Sequence, residues 1–140
     1  MGAAKYINQL ITKVKTYLDN NTLILGDVNT VLSAIDRSYK HISKEIRALN
    51  DTLDQMDFAD IYRTLHPNSP EYTFFSSAHG TFSRIDHILG HKSGLNRYQK
   101  IGIVPCIFSD HNALKLELNH KKKFGGNSKH MKIKEHLTKR

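Results

Sequence analysis

Thr22-Leu23-Ile24-Leu25-Gly26-Asp27-Val28-Asn29 is an apolar run of strand length that ends on a glycine, a carboxylate and an amide. A short run apolar at successive positions, bounded by turn-forming residues, reads as a strand buried on both faces. Gly26 lets the chain turn as it leaves the sheet, which places Asp27 and Asn29 at the sheet's mouth. Before it, Ile7, Leu10, Ile11, Val14 and Leu18 recur at helical spacing from Ala3 onward, and Asp19-Asn20-Asn21 supplies the turn that stops this helix. After it, a loop carries Asp36 and Arg37, and then Ile42, Ile46, Leu49, Leu53 and Met56 mark a second helix with Ser43 as its N-cap. Both helices are expected to cover a sheet.

Further along, His66-Pro67-Asn68-Ser69-Pro70 is a loop by its prolines, and Tyr72-Thr73-Phe74-Phe75 has the aromatic and β-branched content of a strand. A hairpin with its tip at Ser76 to Gly80 follows, with Phe82 to Leu89 as one return strand that Gly90 ends. Ile101 to Phe108 reads as another strand interrupted by Pro105, and Ala113 to Leu118 alternates as a half-buried strand does. Gly125-Gly126-Asn127-Ser128 reads as a flexible break. The expected organisation is one α/β domain over residues 1–118 and a basic, flexible tail over 119–140.

The chain has 140 residues, 39% of them hydrophobic and 24% charged, which fits one globular domain and leaves no apolar stretch long enough for a membrane span. No secretory pattern opens the chain, and a single cysteine, Cys106, cannot form an internal disulfide. The expectation is an intracellular protein, nuclear if it acts on DNA. A formal net charge of +8 favours a polyanionic partner, although Lys121, Lys122, Lys123, Lys129, Lys132, Lys134, Lys139 and Arg140 face only Glu135 and supply most of the excess. That run reads as a solvated tail or as an arm that binds phosphates without sequence preference.

Three short segments carry chemistry: Gly26-Asp27-Val28-Asn29, Arg84-Ile85-Asp86-His87 and Ser109-Asp110-His111. Each closes or interrupts an apolar run, so their polar groups are expected at strand ends, held by a rigid sheet. Hydrolysis of a phosphodiester needs charge stabilisation on phosphate oxygens, a deprotonated water and help for the leaving oxygen. Carboxylates, an amide and an imidazole meet those needs. Mg²⁺ takes oxygen ligands and keeps several waters, so Asp110 and Asp27 are natural candidates to hold it, with Mn²⁺ as a substitute. An imidazole in such a site needs a second acceptor to fix its orientation, and Asp86 would serve His111 in this way. Singly, a Gly-Asp-x-Asn after a strand is commonly an Asx turn and an Asp-His pair a surface turn; the set of three in this order is what points to chemistry.

At these residues the chain resembles the endonuclease/exonuclease/phosphatase superfamily, and within it the apurinic-like endonuclease domain of long interspersed element retrotransposons. The resemblance rests on Leu25 to Thr30, on Asp60-Ile61-Tyr62-Arg63-Thr64-Leu65-His66-Pro67, on Glu71 to Ser76, on Ile85 to Ile88 and on Ser109-Asp110-His111, and runs from about Ile7 to about Leu118. It implies the C-terminal half of that fold, a partial two-layer β-sandwich flanked by helices, and Mg²⁺-dependent hydrolysis of DNA leaving a 3′-hydroxyl. By the same resemblance Asp27 orients or deprotonates water, Asn29 holds the phosphate, Asp86 pairs with His111, Asp110 binds metal and His111 contacts the scissile phosphate. Arg37, Thr73 and Ser83 fall at positions that approach DNA.

Two departures qualify the likeness. Val28 stands where the family has a bulky aromatic. The family also draws an Asn and a metal-binding Glu from its N-terminal half, and residues 1–26 contain Asp19 as their only acid ahead of the motif that Gly26 opens. The chain is therefore expected to be a truncated retrotransposon copy with little activity alone. Apolar inner faces at Leu23 to Leu25 and Ile101 to Ile107 are then exposed and available for a complementary half or self-association. Alternative readings are a noncatalytic nucleic-acid-binding remnant and a phosphatase of small phosphoesters.

Overall fold

The computed structural model describes residues 2–37, 41–119 and 132–135. The apolar periodicity near the N-terminus becomes helix α1 (Ala3–Val14), extended by a single 3₁₀ turn at Lys15–Tyr17, and Ile7 and Ile11 are each 1% exposed. Strand β1 (Thr22–Asp27) follows, then a loop with a 3₁₀ turn at Ala34–Asp36 and helix α2 (Lys44–Gln55). Ser43 caps α2 as its sequence indicates, its hydroxyl accepting from the Ile46 N–H at 3.2 Å. Strand β2 (Phe58–Asp60) and the short helix α3 (Ile61–Leu65) come next, then the hairpin β3 (Phe74–Ser76) and β4 (Thr81–Ser83), strand β5 (Asp86–His91), a second hairpin of β6 (Tyr98–Val104) and β7 (Ala113–Leu118), and strand β8 (Lys132–Glu135).

The central sheet has the order β2-β5-β1-β8, with β5 antiparallel to both β1 and β2 and β8 parallel to β1. Period-two alternation sends neighbouring residues to opposite faces. Ile24 and Leu89 meet α1 and α2 in one core with Ile7, Ile11, Leu49 and Leu53. Leu23 and Ile88 meet Ile61, Tyr62, Tyr98 and Ile101 in another, on the side of α3 and the β6–β7 hairpin. Of the stretches Leu23 to Leu25 and Ile101 to Ile107, both expected to be exposed, Leu23, Ile24 and Ile101 are buried, which is a correction, whereas Val104 and Ile107 are exposed as expected. Leu23 is 3% exposed and Ile101 2%, because Tyr62 and Tyr98 lie over that face. Exposed apolar groups include Val104, Ile107 and Phe108 at the β6–β7 turn and Phe75 and Phe82 on the β3–β4 hairpin.

Other strand expectations shift for physical reasons. The return strand expected over Phe82 to Leu89 breaks at Arg84 and Ile85. There the Arg84 N–H donates to the Asp36 carbonyl at 2.7 Å and the Ile85 N–H to Thr73 Oγ1 at 3.1 Å, so loop partners replace the ladder. Nor does Gly90 end that strand. It lies within β5 because a Cβ there would come within 2.5 Å of the Tyr98 hydroxyl and 3.0 Å of both Ile61 and Leu23. The strand expected from Ile101 starts earlier, at Tyr98, and stops at Val104 ahead of Pro105. The tail assigned to 119–140 lies mostly outside the described residues, apart from Asn119 and the backbone of β8.

Beneath the sheet's mouth sits a buried charge network. Arg84, wholly buried, donates from Nε to Asp36 Oδ1 at 3.0 Å and from Nη2 to Asp60 Oδ2 at 2.5 Å, with its guanidinium 4.7 Å from the centre of the Tyr62 ring. Arg63 also donates to Asp36, and His87 Nδ1 lies 3.0 Å from Asp60 Oδ2. Burial alone would raise the Asp60 carboxyl, but His87 and Arg84 outweigh it and hold Asp60 well below the usual carboxylate range. Burial likewise disfavours the Arg84 cation, and Asp60 and Asp36 overcome it, so Arg84 is raised.

Gly90→Ala is expected to destabilise by about 1–3 kcal/mol through overpacking, and Gly102→Ala, where a Cβ meets nothing within 4 Å, to lie within about 0.5 kcal/mol of the parent; urea denaturation measures both. Because the folded Asp60 titrates below its unfolded value of about 3.9, its pairing stabilises fully above that value and is lost as pH falls below it. Asp60→Asn should therefore be less stable than the parent at pH 7 by about 3–5 kcal/mol, with the gap narrowing below about pH 4 when urea midpoints are compared across pH.

Candidate functional site

Strand pairing supplies the first constraint on the site. In the β1–β5 register Asp27 and Asp86 are direct cross-strand partners at the end of the ladder, so both carboxylates leave the sheet at one edge. Gly26, at φ 143°, takes a backbone conformation that side chains rarely adopt, and Asn29 at φ 53° takes the left-handed conformation that Asn tolerates. The Asp27 carboxylate accepts from the Asn29 N–H through Oδ1 at 2.8 Å, forming the Asx turn that the motif alone suggests. Val28 is buried, and its N–H donates to the Ile85 carbonyl at 3.1 Å, so the smaller side chain still anchors this loop.

His111 completes the group. Its Nδ1 lies 2.8 Å from Asp86 Oδ2 and its Nε2 3.7 Å from Asp27 Oδ2. An N–H at Nδ1 donates to Asp86, and Nε2 faces Asp27 and the solvent beside it. All three side chains are part-exposed, as a site open to substrate requires. The segment carrying His111 is held by an antiparallel bridge between Phe74 and His111, by the Asn112 N–H donating to the Thr73 carbonyl at 2.6 Å, and by the Phe74 ring 4.8 Å from the imidazole.

The remaining residues singled out from sequence fall around this triangle. Asn29 is exposed beside Asp27. Asp110 is exposed and lines a cleft of about 300 Å³ with Tyr72, Phe74, Phe75, Phe82 and Asn112. Its carboxylate stands outside the group formed by Asp27, Asp86 and His111. Arg37 and Ser83 face each other across a β-bridge at the foot of the β3–β4 hairpin.

Thr73 is a correction. It is 0% exposed, and its hydroxyl accepts from the N–H groups of Ile85 at 3.1 Å and Asp86 at 3.3 Å, so it supports Asp86 from below and presents nothing to DNA. Phe75 and Phe82 meet across the hairpin with ring centres 4.6 Å apart, yet each remains more than 40% exposed. Sequence reading singled out no role for Arg84, His87, Asp60 or Arg63. Asp60 and Arg63 share an Asp-Ile-Tyr-Arg stretch whose charged ends flank apolar residues, which is the signal that was there to read.

The donor set suits a hard divalent ion. One ligand atom from each of Asp27, Asp86 and His111 lies within 4.8 Å of the others, and two of the three are carboxylate oxygens with an open approach. Asp36, Asp60 and His87 also cluster within that distance, but buried guanidinium groups already neutralise their carboxylates. Among the described residues no helix is long and apolar enough to cross a membrane.

Known proteins share this fold. Over 121 residues the chain is 29% identical to the Xenopus laevis transposon TX1 uncharacterized 149 kDa protein, covering 83% of this chain and 9% of that protein. Its fold matches an AP endonuclease from Archaeoglobus fulgidus with a TM-score of 0.70 at 20% identity, covering 84% of this chain and 53% of the other. The AP endonuclease LMAP from Leishmania major matches at 0.66 with 19% identity, over 84% and 43% of the two chains. The 3′ phosphatase NExo from Neisseria, bound to product DNA hairpin, matches at 0.62 with 19% identity, over 84% and 50%. The chain thus spans about half the length of these enzymes and a small part of the transposon protein. Residues 7–111 match the Endonuclease/Exonuclease/phosphatase family, and the chain belongs to that family.

Proposed function

We propose that this chain is the phosphate-handling part of a transposon-borne endonuclease that hydrolyses DNA phosphodiesters, acting in the nucleus where that DNA lies. The observation that carries the reading is the Asp27–His111–Asp86 triangle, with His111 2.8 Å from one carboxylate and 3.7 Å from the other. Its relatives support the substrate class: two are AP endonucleases, and a third is a 3′ phosphatase bound to a DNA hairpin.

In this reading Asp27 orients the attacking water and takes its proton. The Asn29 amide, projecting from the left-handed turn, steadies a phosphate oxygen. Asp86 fixes the His111 ring so that one ring nitrogen meets the scissile phosphate, where fixed charge and hydrogen bonding count most as the transition state forms. Asp27, with Asp86 beside it and Asp110 standing outside that group, would hold Mg²⁺ or Mn²⁺, which supplies charge stabilisation on the phosphate oxygens when bound. Arg37 and Ser83 lie on the side from which a DNA backbone approaches the hairpin. The family's metal-binding Glu has no counterpart in residues 1–26. Catalytic groups that act as a unit lose far more than additively when one is missing, so this chain alone nicks weakly or not at all.

Supercoiled plasmid and Mg²⁺ test this. The chain alone is expected to leave the plasmid supercoiled, and supplying a segment that carries the family's Asn and Glu should produce nicks ending in 3′-hydroxyls. Asp27→Ala and His111→Ala should each lower that nicking by about 100-fold or more. Nicking that ignores both substitutions would overturn the proposal. Release of phosphate from nucleotide or inositol phosphates with no plasmid nicking would assign the site to a phosphatase instead.

A further inference from the structure

Strand pairing fixes Asp27 against Asp86, but it does not reach Asn29, which lies beyond β1 in a loop that runs to Arg37. That loop is tied down from residues on either side of Asp86. The His87 ring lies with Nε2 2.8 Å from the Thr30 carbonyl, so this nitrogen carries a proton and donates. The Arg84 N–H donates to the Asp36 carbonyl, and the Arg84 side chain binds the Asp36 carboxylate. Asp36 in turn accepts through Oδ2 from the N–H groups of Leu32 at 3.2 Å and Ser33 at 3.0 Å. Asp60 closes the circuit, bound by Arg84 at Nη1 and Nη2 and standing 3.0 Å from His87 Nδ1. His87 is 1% exposed and Arg84 0%, so neither can touch substrate.

We propose that Arg84 and His87 are positioning residues for the site: through Asp36, Asp60 and the Thr30 carbonyl they hold the Asn29 loop against the strand that carries Asp86. The inference rests on the proposed nuclease reading for its kinetic consequence and on geometry alone for its structural one. The Thr30 bond is made by Nε2–H whether or not Nδ1 is protonated, so the clamp works in either state of His87. Separate anchoring would let the loop and the strand drift independently. A shared buried network makes them move together, and a displacement of about 1 Å between phosphate-binding and water-orienting groups costs about 100-fold in rate.

His87→Leu keeps the ring's apolar volume and deletes the Thr30 bond, whereas His87→Gln retains a side-chain N–H that can reach the same carbonyl. Arg84→Lys keeps the charge but loses the fork that spans two carboxylates. Amide hydrogen exchange on the full chain is the first readout, since it needs no activity. Residues 28–33 are expected to exchange at least about 10-fold faster in His87→Leu and Arg84→Lys, with α1 and the β1–β5 ladder unchanged and His87→Gln close to the parent. Uniform acceleration throughout the core would mean a merely structural role, and an unchanged loop would mean no clamp; either overturns the proposal. In a preparation that nicks DNA, kcat should fall about 10- to 100-fold in His87→Leu with KM little changed, and recover in His87→Gln. Absence of nicking by the parent protein even when it is supplied with the segment that carries the family's Asn and Glu would remove the nuclease reading while leaving the exchange result to decide the clamp.

Discussion

One guanidinium, that of Arg84, sits out of water between two carboxylates from different parts of the chain, and the geometry of the site depends on it. A buried cation is tolerated only when paired and hydrogen-bonded throughout, and the Asp36 and Asp60 oxygens together with the face of Tyr62 provide that environment. The pairing need not add to net stability over an apolar alternative. What it provides is a direct tie between the β1 loop, β2 and the start of β5, since Arg84 bonds carboxylates from both of the other segments. Asp36 comes from the loop after β1, Asp60 from the end of β2 and Arg84 from the break before β5, so one side chain sets the mutual position of three segments.

A second hub works from the opposite side. Thr73 gives its hydroxyl to the N–H groups of Ile85 and Asp86 and its carbonyl to the N–H of Asn112. Asp86 is thereby supported from the hairpin, and the same residue fixes the segment that ends in His111. The imidazole and its acceptor are thus positioned through one shared neighbour, which accounts for a 2.8 Å contact between residues 25 positions apart. Backbone donors and acceptors do this work well, since they lack rotamers of their own and lose little entropy on being fixed.

Much of this was legible in the sequence because it follows from periodicity and turn chemistry. The two amphipathic helices, the Ser43 cap, the buried strand ahead of Asp27 and the alternating β7 all express local patterns that tertiary packing reinforces. The Asp27–His111–Asp86 grouping was legible through order and resemblance, not through any one segment. Thr73 shows where that route fails: a position near the hairpin suggests contact with DNA, but burial is a property of the whole fold, and here the hydroxyl is used up on backbone N–H groups. β2 and α3 are too short to show a period, and Gly90 resembles a strand stop although it is there to make room for Tyr98, Ile61 and Leu23. The Arg84 network joins residues up to 48 positions apart, beyond the reach of any window along the chain.

The distribution of apolar surface follows from the same division of labour. Both faces of the central sheet are covered within this chain, by α1 and α2 on one side and by α3 with Tyr98 and Ile101 on the other. The most exposed of the large apolar side chains lie in the loop after Val104, where Ile107 and Phe108 are about nine-tenths exposed a few residues before His111. The loop that delivers the imidazole contributes no residue to either buried core. Its inner end is held by Thr73, by the Phe74 bridge and by the Cys106 N–H donating to Asn112 Oδ1 at 3.1 Å. Asp27 and Asp86 stand on a ladder and a buried charge pair, while His111 stands on a hairpin edge and a few hydrogen bonds, so of the three groups in the triangle the imidazole is the one whose position depends most on what else packs against this face.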